Sequence, residues 1–259
     1  MFSKKIYNLL SLLVIFNFNI QAQTLNIASD IWCPYICDDK ETPGVLVEVL
    51  NEIAKAKKMT FNFKIMPLSR SLIMVNRSEV DIVLAVTKSH ITDHKLQHSK
   101  QYYGGWQNDF YINKNVNWLP SKLNDLEFFL NSGEILGIIK GYEYGPYIDS
   151  LKLKYATSIY QATGNSPLAK NIEMLQKGRI SALLDSRYNI EYEINKNNIT
   201  DIIYARSEGG FVPLFLGFSP KTRSEVINRI DDGLVLIRSR GILRRILEKY
   251  GVNDWQNQL

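Results

Sequence analysis

Segments with the periodicity of a β-strand alternate with segments with the periodicity of an α-helix along most of this chain. Thr24 to Ser29 alternates apolar and polar side chains, residues 45–54 repeat apolar side chains with the helical period, and Thr60 to Ile65 returns to strict alternation. The segment 80–86 is an almost continuous apolar run, typical of a strand buried on both faces. Strands that alternate with helices predict an α/β fold with mostly parallel sheets.

A second series of the same kind follows a loop-like stretch at 113–121. Its predicted elements are strands at 135–139, 158–160, 180–184 and 202–204, with helices at 167–177 and 187–196. The chain then passes through Gly209 and Gly210 into an apolar segment and ends with two amphipathic helices, at 222–238 and 242–250. We expect the apolar faces of these last helices to pack on the first sheet.

The first 22 residues have the pattern of a cleavable signal peptide. Lys4 and Lys5 precede an apolar run from Leu9 to Phe16, and Ala22 offers a small residue for cleavage before Gln23. The run is shorter than the roughly 20 residues that a membrane-spanning helix needs. The pattern predicts a protein exported to the periplasm; an uncleaved N-terminal anchor is the alternative. No cysteine stands at the cleavage point, so we expect no lipid anchor.

The charge balance argues against a nucleic-acid partner. The chain has 31 basic and 26 acidic residues, and loss of Lys4 and Lys5 with the leader leaves a net formal charge of +3. That excess is too small and too dispersed for phosphate-backbone binding. No phosphate-binding loop or other cofactor motif occurs, so we expect no cofactor.

The two cysteines, Cys33 and Cys37, are close in sequence. In an oxidising compartment such a pair predicts a small local disulfide, provided that the chain turns between them. Pro34 favours the turn. A redox pair or part of a metal site is the alternative, although redox motifs usually separate the cysteines by two residues and two thiolates do not complete a zinc site.

Several short motifs then stand in an order that resembles the periplasmic solute-binding proteins of the polar amino-acid type, family 3, which serve ABC importers. The motifs are Trp32-Cys33-Pro34-Tyr35, Pro43-Gly44, Glu79 to Val83, Ser99 to Tyr103, Leu136 to Gly141, Leu175 to Ala182, Arg240-Gly241-Ile242 and Lys249-Tyr250-Gly251. No single motif is diagnostic, but together they cover nearly the whole mature chain. The resemblance therefore rests on their order.

The resemblance implies a two-lobed fold that closes around a small molecule by hinge motion. Lobe one would comprise residues 24–112 and 214–259, and lobe two residues 113–213. Two crossing segments, near 109–112 and 211–218, would form the hinge. The implied partners are a small-molecule ligand and an ABC permease, and we expect the protein to be a monomer.

Ligands of such folds bind beyond the carboxyl ends of the strands. Trp32 follows the first strand in the position of the family's aromatic residue, where its ring could cover an apolar or cationic ligand group. Arg70 opens a helix and could bind a carboxylate or phosphate. Gly141 and Tyr142 stand where a strand of the second series gives way to free backbone N–H groups. A packing aromatic and a solvated arginine are the alternatives.

The segment after the buried strand departs from the family pattern. Amino-acid binders of this family carry an arginine a few residues after a Thr or Ser, where it holds the ligand's α-carboxylate. Here Thr87 is followed by no arginine as far as Ser99, and His90 is one of the few cationic candidates. An ordinary α-amino acid is therefore disfavoured as ligand. We expect Thr87 and His90 to contact the ligand and no metal to bind, with a metal site of His90, His94 and His98 as the alternative.

The second series of strands and helices also departs from the family pattern. Glu143 follows Gly141 where the family often has Ser-Thr, and its charge would repel a carboxylate. The family's aspartate for the ligand's amino group falls at Asp185 or, by the count from Gly178-Arg179, at Ser186. A shift of one residue changes the face of a strand. We take Asp185 as the ligand contact.

These observations favour a binding protein over an enzyme. The alternative is an enzyme on the same scaffold, such as a cyclohexadienyl-type dehydratase, for which Glu143, Asp185 and His90 could supply acid or base. They have no recognisable catalytic spacing, and we assign no catalytic residue. A detached sensory ligand-binding protein is a third possibility, for which we expect a transmembrane segment or signalling domain that the sequence does not contain.

Overall fold

The computed structural model describes residues 24–116, 119–164 and 166–257. The expected signal peptide, residues 1–22, lies outside these ranges and stays a prediction. Within them, no helix combines the length and the apolar character needed to cross a membrane.

The first part of the chain forms a parallel sheet with helices between its strands. Its elements are β1 (Thr24–Ser29), α1 (Val45–Lys57), β2 (Thr60–Ile65), α2 (Leu68–Asn76), β3 (Ile82–Val86), α3 (Lys88–Asp93) and the short strand β4 (Gln97–His98). Strand β1 pairs in parallel with both β2 and β3. The alternating and buried patterns in the sequence predicted β1 and β2 with these bounds, and β3 with an extension of two residues.

The second part repeats this arrangement around β6. Its elements are β5 (Gly104–Asn113), α4 (Leu119–Lys122), α5 (Leu126–Asn131), β6 (Leu136–Ile139), α6 (Pro146–Lys154), β7 (Ile159–Ala162), α7 (Pro167–Gln176), β8 (Ala182–Ser186), α8 (Arg187–Lys196) and β9 (Ile202–Phe218). Strand β6 pairs in parallel with β7 and β8. The result is the α/β two-lobed fold that the sequence predicts.

Strands β5 and β9 connect the two lobes. They pair antiparallel from Gly104 opposite Leu214 to Asn113 opposite Ile202. Strand β9 also pairs with β3 and β4, and β5 pairs with β8, so the strand order is β2-β1-β3-β9-β5-β8-β6-β7. Gly209 and Gly210 do not interrupt β9. They lie at a register shift, where Gly209 has a φ of 69° that favours glycine.

Both faces of the first sheet are covered. One face packs against α1 together with α9 (Ser224–Ser239) and α10 (Ile242–Tyr250), as expected from the apolar faces of the last two helices. Helices α1 and α9 approach closely at Gly233, where a side-chain Cβ would lie 2.6 Å from Ile53 Cγ2. The other face packs against Leu72 and Val75 of α2. Each such fully buried aliphatic side chain stabilises the fold by about 1.5–3 kcal/mol.

A tight loop follows β1 and contains the disulfide between Cys33 and Cys37, whose Cα atoms are 5.0 Å apart. The N–H groups of Tyr35 and Ile36 both donate to the Trp32 carbonyl, at 2.9 and 3.0 Å, which forms the turn that the sequence predicts. Tyr35 is fully buried and donates its hydroxyl to the Gly105 carbonyl at 2.6 Å. The loop therefore fixes the backbone of Trp32 against the strands that connect the lobes.

Removal of the disulfide should destabilise the protein measurably. For a loop of about five residues, the chain-entropy model gives about 2 kcal/mol. We expect the Cys33→Ala/Cys37→Ala variant to lose that much free energy of unfolding in urea titrations. Dithiothreitol should destabilise the wild type similarly and leave the variant unchanged. Equal stability of variant and wild type would contradict a structural disulfide.

Candidate functional site

A pocket lies where the two lobes meet, and its space, including the part open to solvent, is about 520 Å³. It is formed by the carboxyl ends of parallel strands of both lobes and by the crossing strands β5 and β9. The lining residues are Asp30, Trp32, Leu68, Ala85, Thr87, His90, Trp106, Asn108, Tyr142, Glu143, Tyr144, Asp185 and Leu214. This is the position in which open α/β sheets bind their ligands.

Aromatic side chains form much of the pocket wall. Trp32 stacks on the buried Tyr35 with a centroid distance of 4.6 Å and an interplanar angle of 17°. Tyr142 donates its hydroxyl to Asp30 Oδ2 at 3.3 Å, which joins the second lobe to the first. The hydroxyl of Tyr144 accepts the Ile139 N–H at 2.9 Å. These contacts hold the three rings in place.

Two carboxyl groups in the pocket have strongly perturbed acidity. Burial raises the pKa of Asp185 to about 7, and the Ser186 N–H, which donates to Asp185 Oδ1 at 2.6 Å, opposes the shift only in part. Burial also raises the pKa of Asp30 to about 6, against its own backbone N–H and the hydroxyl of Tyr142. Near neutral pH both groups are therefore partly protonated.

Buried polar atoms in this pocket lack partners among the described residues. They include Asp185 Oδ2 and Asn108 Oδ1, which are acceptors, and Trp32 Nε1, which is a donor. Asp185 is 3% exposed and Asn108 is 6% exposed. A buried polar group without a hydrogen bond costs about 1–3 kcal/mol. A bound molecule that hydrogen-bonds to these atoms would remove that cost, so they mark favourable places for ligand contact.

Glu143 of the second lobe reaches across to the first lobe. Its Oε2 accepts hydrogen bonds from the Thr87 hydroxyl at 2.9 Å and the Ser89 hydroxyl at 2.7 Å. Its Oε1 lies 3.4 Å from His90 Nε2. The carboxylate thus occupies the polar donors at the end of β3.

The tautomer of His90 follows from its partners. The Thr87 N–H donates to His90 Nδ1 at 3.3 Å, so the neutral ring carries its proton on Nε2, facing Glu143. Burial lowers the pKa of His90, and the nearby charge of Glu143 opposes the shift only in part. At neutral pH His90 is therefore a neutral donor and adds no positive charge to the pocket.

The pocket as a whole is acidic and aromatic. Three carboxyl groups line it, from Asp30, Glu143 and Asp185. Of the residues that the structure describes, no lysine or arginine lines it. The arrangement can accept hydrogen bonds and stabilise positive charge, but it has no cation with which to hold an anion.

A wider outer cleft adjoins the pocket and shares Asp30, Leu68 and Tyr142 with it. Its space is about 1460 Å³, including the part open to solvent, and Ile31 and Ile65 at its edge are 45% and 44% exposed. The shared residues place this solvent-exposed cleft directly beside the pocket.

The structure brings five of the seven residues expected to contact a ligand together in the pocket; they are Trp32, Thr87, His90, Tyr142 and Asp185. Gly141 lines the outer cleft. Arg70 is exposed on α2 and lines neither space. Ligand contact by any of the seven stays a prediction.

Sequence reasoning missed Asp30, Trp106, Asn108 and Tyr144. Asp30 directly follows β1, so the rule for strand ends could have found it. Trp106 and Asn108 are on β5, whose course between the lobes depends on pairing with β9. Tyr144 gave no local signal, because its place in the wall depends on the turn after β6.

The three histidines do not share a helix face. Helix α3 ends at Asp93, so His98 lies on β4, where its Nδ1 is 2.8 Å from the Ser99 carbonyl oxygen and its ring packs on Phe215. In the described part of the chain, no group of three or more His, Cys, Asp or Glu residues is placed to hold a metal ion. The single helix face that would align the three histidines is therefore not formed.

The family model of bacterial extracellular solute-binding proteins, family 3, matches residues 25–253. No curated protein sequence matches the chain significantly.

Three solved structures illustrate the range of similar proteins. A probable amino-acid ABC transporter extracellular-binding protein from Bacillus subtilis is 19% identical, with 89% of this chain and 98% of that chain covered and a TM-score of 0.71. A histidine kinase sensor domain is 15% identical (88% and 96% covered, TM-score 0.69). An ancestral amino acid-binding protein described as a precursor of cyclohexadienyl dehydratase is also 15% identical (88% and 94%, TM-score 0.68). At these identities the likeness establishes the fold alone.

The raised pKa of Asp185 predicts a pH-dependent stability. The native state binds the Asp185 proton more tightly than the unfolded chain, so this residue makes the ligand-free protein less stable as the pH rises from about 4 to about 7. Asp185→Asn should remove that loss, a relative gain of up to about 4 kcal/mol at neutral pH. Urea unfolding across this range measures it.

The matched control is Asp232→Asn, at an exposed position of α9. It should leave the slope of stability against pH unchanged. If Asp185→Asn has the same slope as the wild type, the proposed buried titration of Asp185 is wrong.

Proposed function

Because the chain belongs to the bacterial extracellular solute-binding proteins, family 3, we propose that it captures a small polar molecule between its two lobes and delivers it to an ABC importer. One observation carries the proposal: the pocket is lined by both lobes, and Glu143 of one lobe is hydrogen-bonded to Thr87 and Ser89 of the other. A molecule in such a pocket is enclosed only when the lobes are together, so binding and closure are coupled.

The lobes of this proposal are residues 24–112 with 214–259, and residues 113–213. The hinge lies in β5 and β9, near 109–112 and 211–218. A register shift between Phe110 and Tyr111 lies in the first of these segments and supports bending there, because it interrupts the ladder with β9. The proposed binder acts as a monomer.

The proposed location is the periplasm, reached through a signal peptide of residues 1–22. The apolar run of the leader, the extracellular family and the disulfide between Cys33 and Cys37 all support export. An oxidising compartment would keep this disulfide formed.

Catalysis on the same scaffold is the main rival, since one similar structure is a precursor of a dehydratase. His90, Glu143 and Asp185 all line the pocket and could exchange protons with a substrate. We favour binding because Glu143 is engaged by the Thr87 and Ser89 hydroxyls instead of being directed at open space. Turnover of prephenate-like cyclohexadienyl acids by purified protein would overturn this choice.

A thermal-shift panel of amino acids, peptides, amines and organic acids tests the proposal. A ligand at 100 times its Kd stabilises the native state by about 2.7 kcal/mol, which raises the melting temperature of a chain of this size by about 5–10 °C. We expect at least one compound to do so and to reduce the radius of gyration in solution scattering. If no compound has either effect, the proposal fails.

Export is tested by expressing the full chain in a Gram-negative host. We expect the mature protein in the periplasmic fraction, with an N-terminus at Gln23 by mass spectrometry. A protein that keeps Lys4 and Lys5 and sediments with membranes would indicate an uncleaved anchor instead.

A further inference from the structure

We infer that the pocket selects small organic cations that carry no carboxylate, because a carboxylate of the chain itself, that of Glu143, already occupies the donors at the end of β3. The inference rests on the proposed function and names the class of solute for that site.

The donors that could receive a ligand carboxylate are already bonded. Thr87 and Ser89 both direct their hydroxyls to Glu143 Oε2, and His90 presents its Nε2 to Glu143 Oε1. A solute carboxylate in this place would have to displace the side chain of Glu143 or lie beside it. Like charges at such separations repel strongly in a partly buried site.

Among the described residues, the unpartnered acceptors of the pocket demand donors from the solute, whereas Trp32 Nε1 is an unpartnered donor. Asp185 Oδ2 and Asn108 Oδ1 are buried acceptors without partners among the described residues. Asp30 adds another carboxylate at the opening of the outer cleft. An ammonium or guanidinium group supplies several N–H donors. Its positive charge would also give these carboxylates the counter-ion that the described lining does not provide.

The walls suit an organic cation better than a bare ion. Trp32, Trp106, Tyr142 and Tyr144 present aromatic side chains, and other parts of the lining are aliphatic. The electrons of an aromatic ring attract a cation that lies over its face. The apolar part of an organic cation contributes further binding free energy when it leaves water. The expected solute therefore has a cationic group and a short apolar or planar body.

Matched pairs that differ only in a carboxylate test this selectivity. Agmatine is compared with L-arginine, histamine with L-histidine, and tyramine with L-tyrosine, each by calorimetry on the wild-type protein. We expect at least one amine to bind at least tenfold more tightly than its amino acid. The comparison uses the unaltered protein, so it does not depend on whether a variant folds.

Glu143→Ala tests the cause of the selectivity. The variant frees the hydroxyls of Thr87 and Ser89 for a solute carboxylate, so the ratio of amine to amino-acid affinity should fall at least tenfold. Glu173→Ala, which removes a glutamate paired with Lys177 on the exposed surface of α7, should leave the ratio unchanged. An unchanged ratio in Glu143→Ala would overturn the assigned role of Glu143.

The outcomes separate the inference from the proposed function. Amino acids that bind the wild type as tightly as their amines would overturn the inference while the proposed function stands. Binding of only neutral or anionic compounds would do the same. If neither these pairs nor the wider panel binds, the proposed function fails and the inference fails with it.

Discussion

The antiparallel pairing of β5 with β9 holds this fold together. The ladder extends from Gly104 to Asn113, and its two strands also pair with β3 on one side and β8 on the other. Hydrogen-bonded backbone connects the lobes in place of loops, so their strand ends face one another in a defined geometry. Trp106 and Asn108 line the pocket because they lie on a connecting strand.

This geometry concentrates acidic groups in a small, partly buried space. Asp30 follows β1, Glu143 follows β6 and Asp185 is near the end of β8. One strand of the first lobe and two strands of the second therefore contribute one carboxyl group each. Burial raises the pKa of Asp30 and Asp185, while Glu143 is held by hydroxyl donors. Carboxyl groups that have no buried counter-ion favour protonation or a cationic partner. The stability of the ligand-free protein therefore depends on the protonation of these two carboxyl groups.

The fold alone does not choose among functions. Similar structures include a transporter's binding protein, a kinase sensor domain and a precursor of an enzyme. The distinction must come from the side chains in the pocket. Here the crossing contact of Glu143 with Thr87 is the informative one, because it joins the two lobes and bonds a donor at the end of β3 to a carboxylate of the chain itself.

The sequence by itself determined the local elements, since hydrophobic periodicity reports which face of a segment is buried; β1, α8 and α10 have the bounds that the pattern predicts. It also determined the disulfide turn, because both cysteines lie in one short loop. Only the tertiary structure decided that β9 continues through Gly209, because its partner strand lies about a hundred residues earlier in the chain. It likewise decided that Glu143 meets Thr87, a contact between residues 56 positions apart. Such contacts depend on how distant segments are placed in space, which local sequence patterns do not encode.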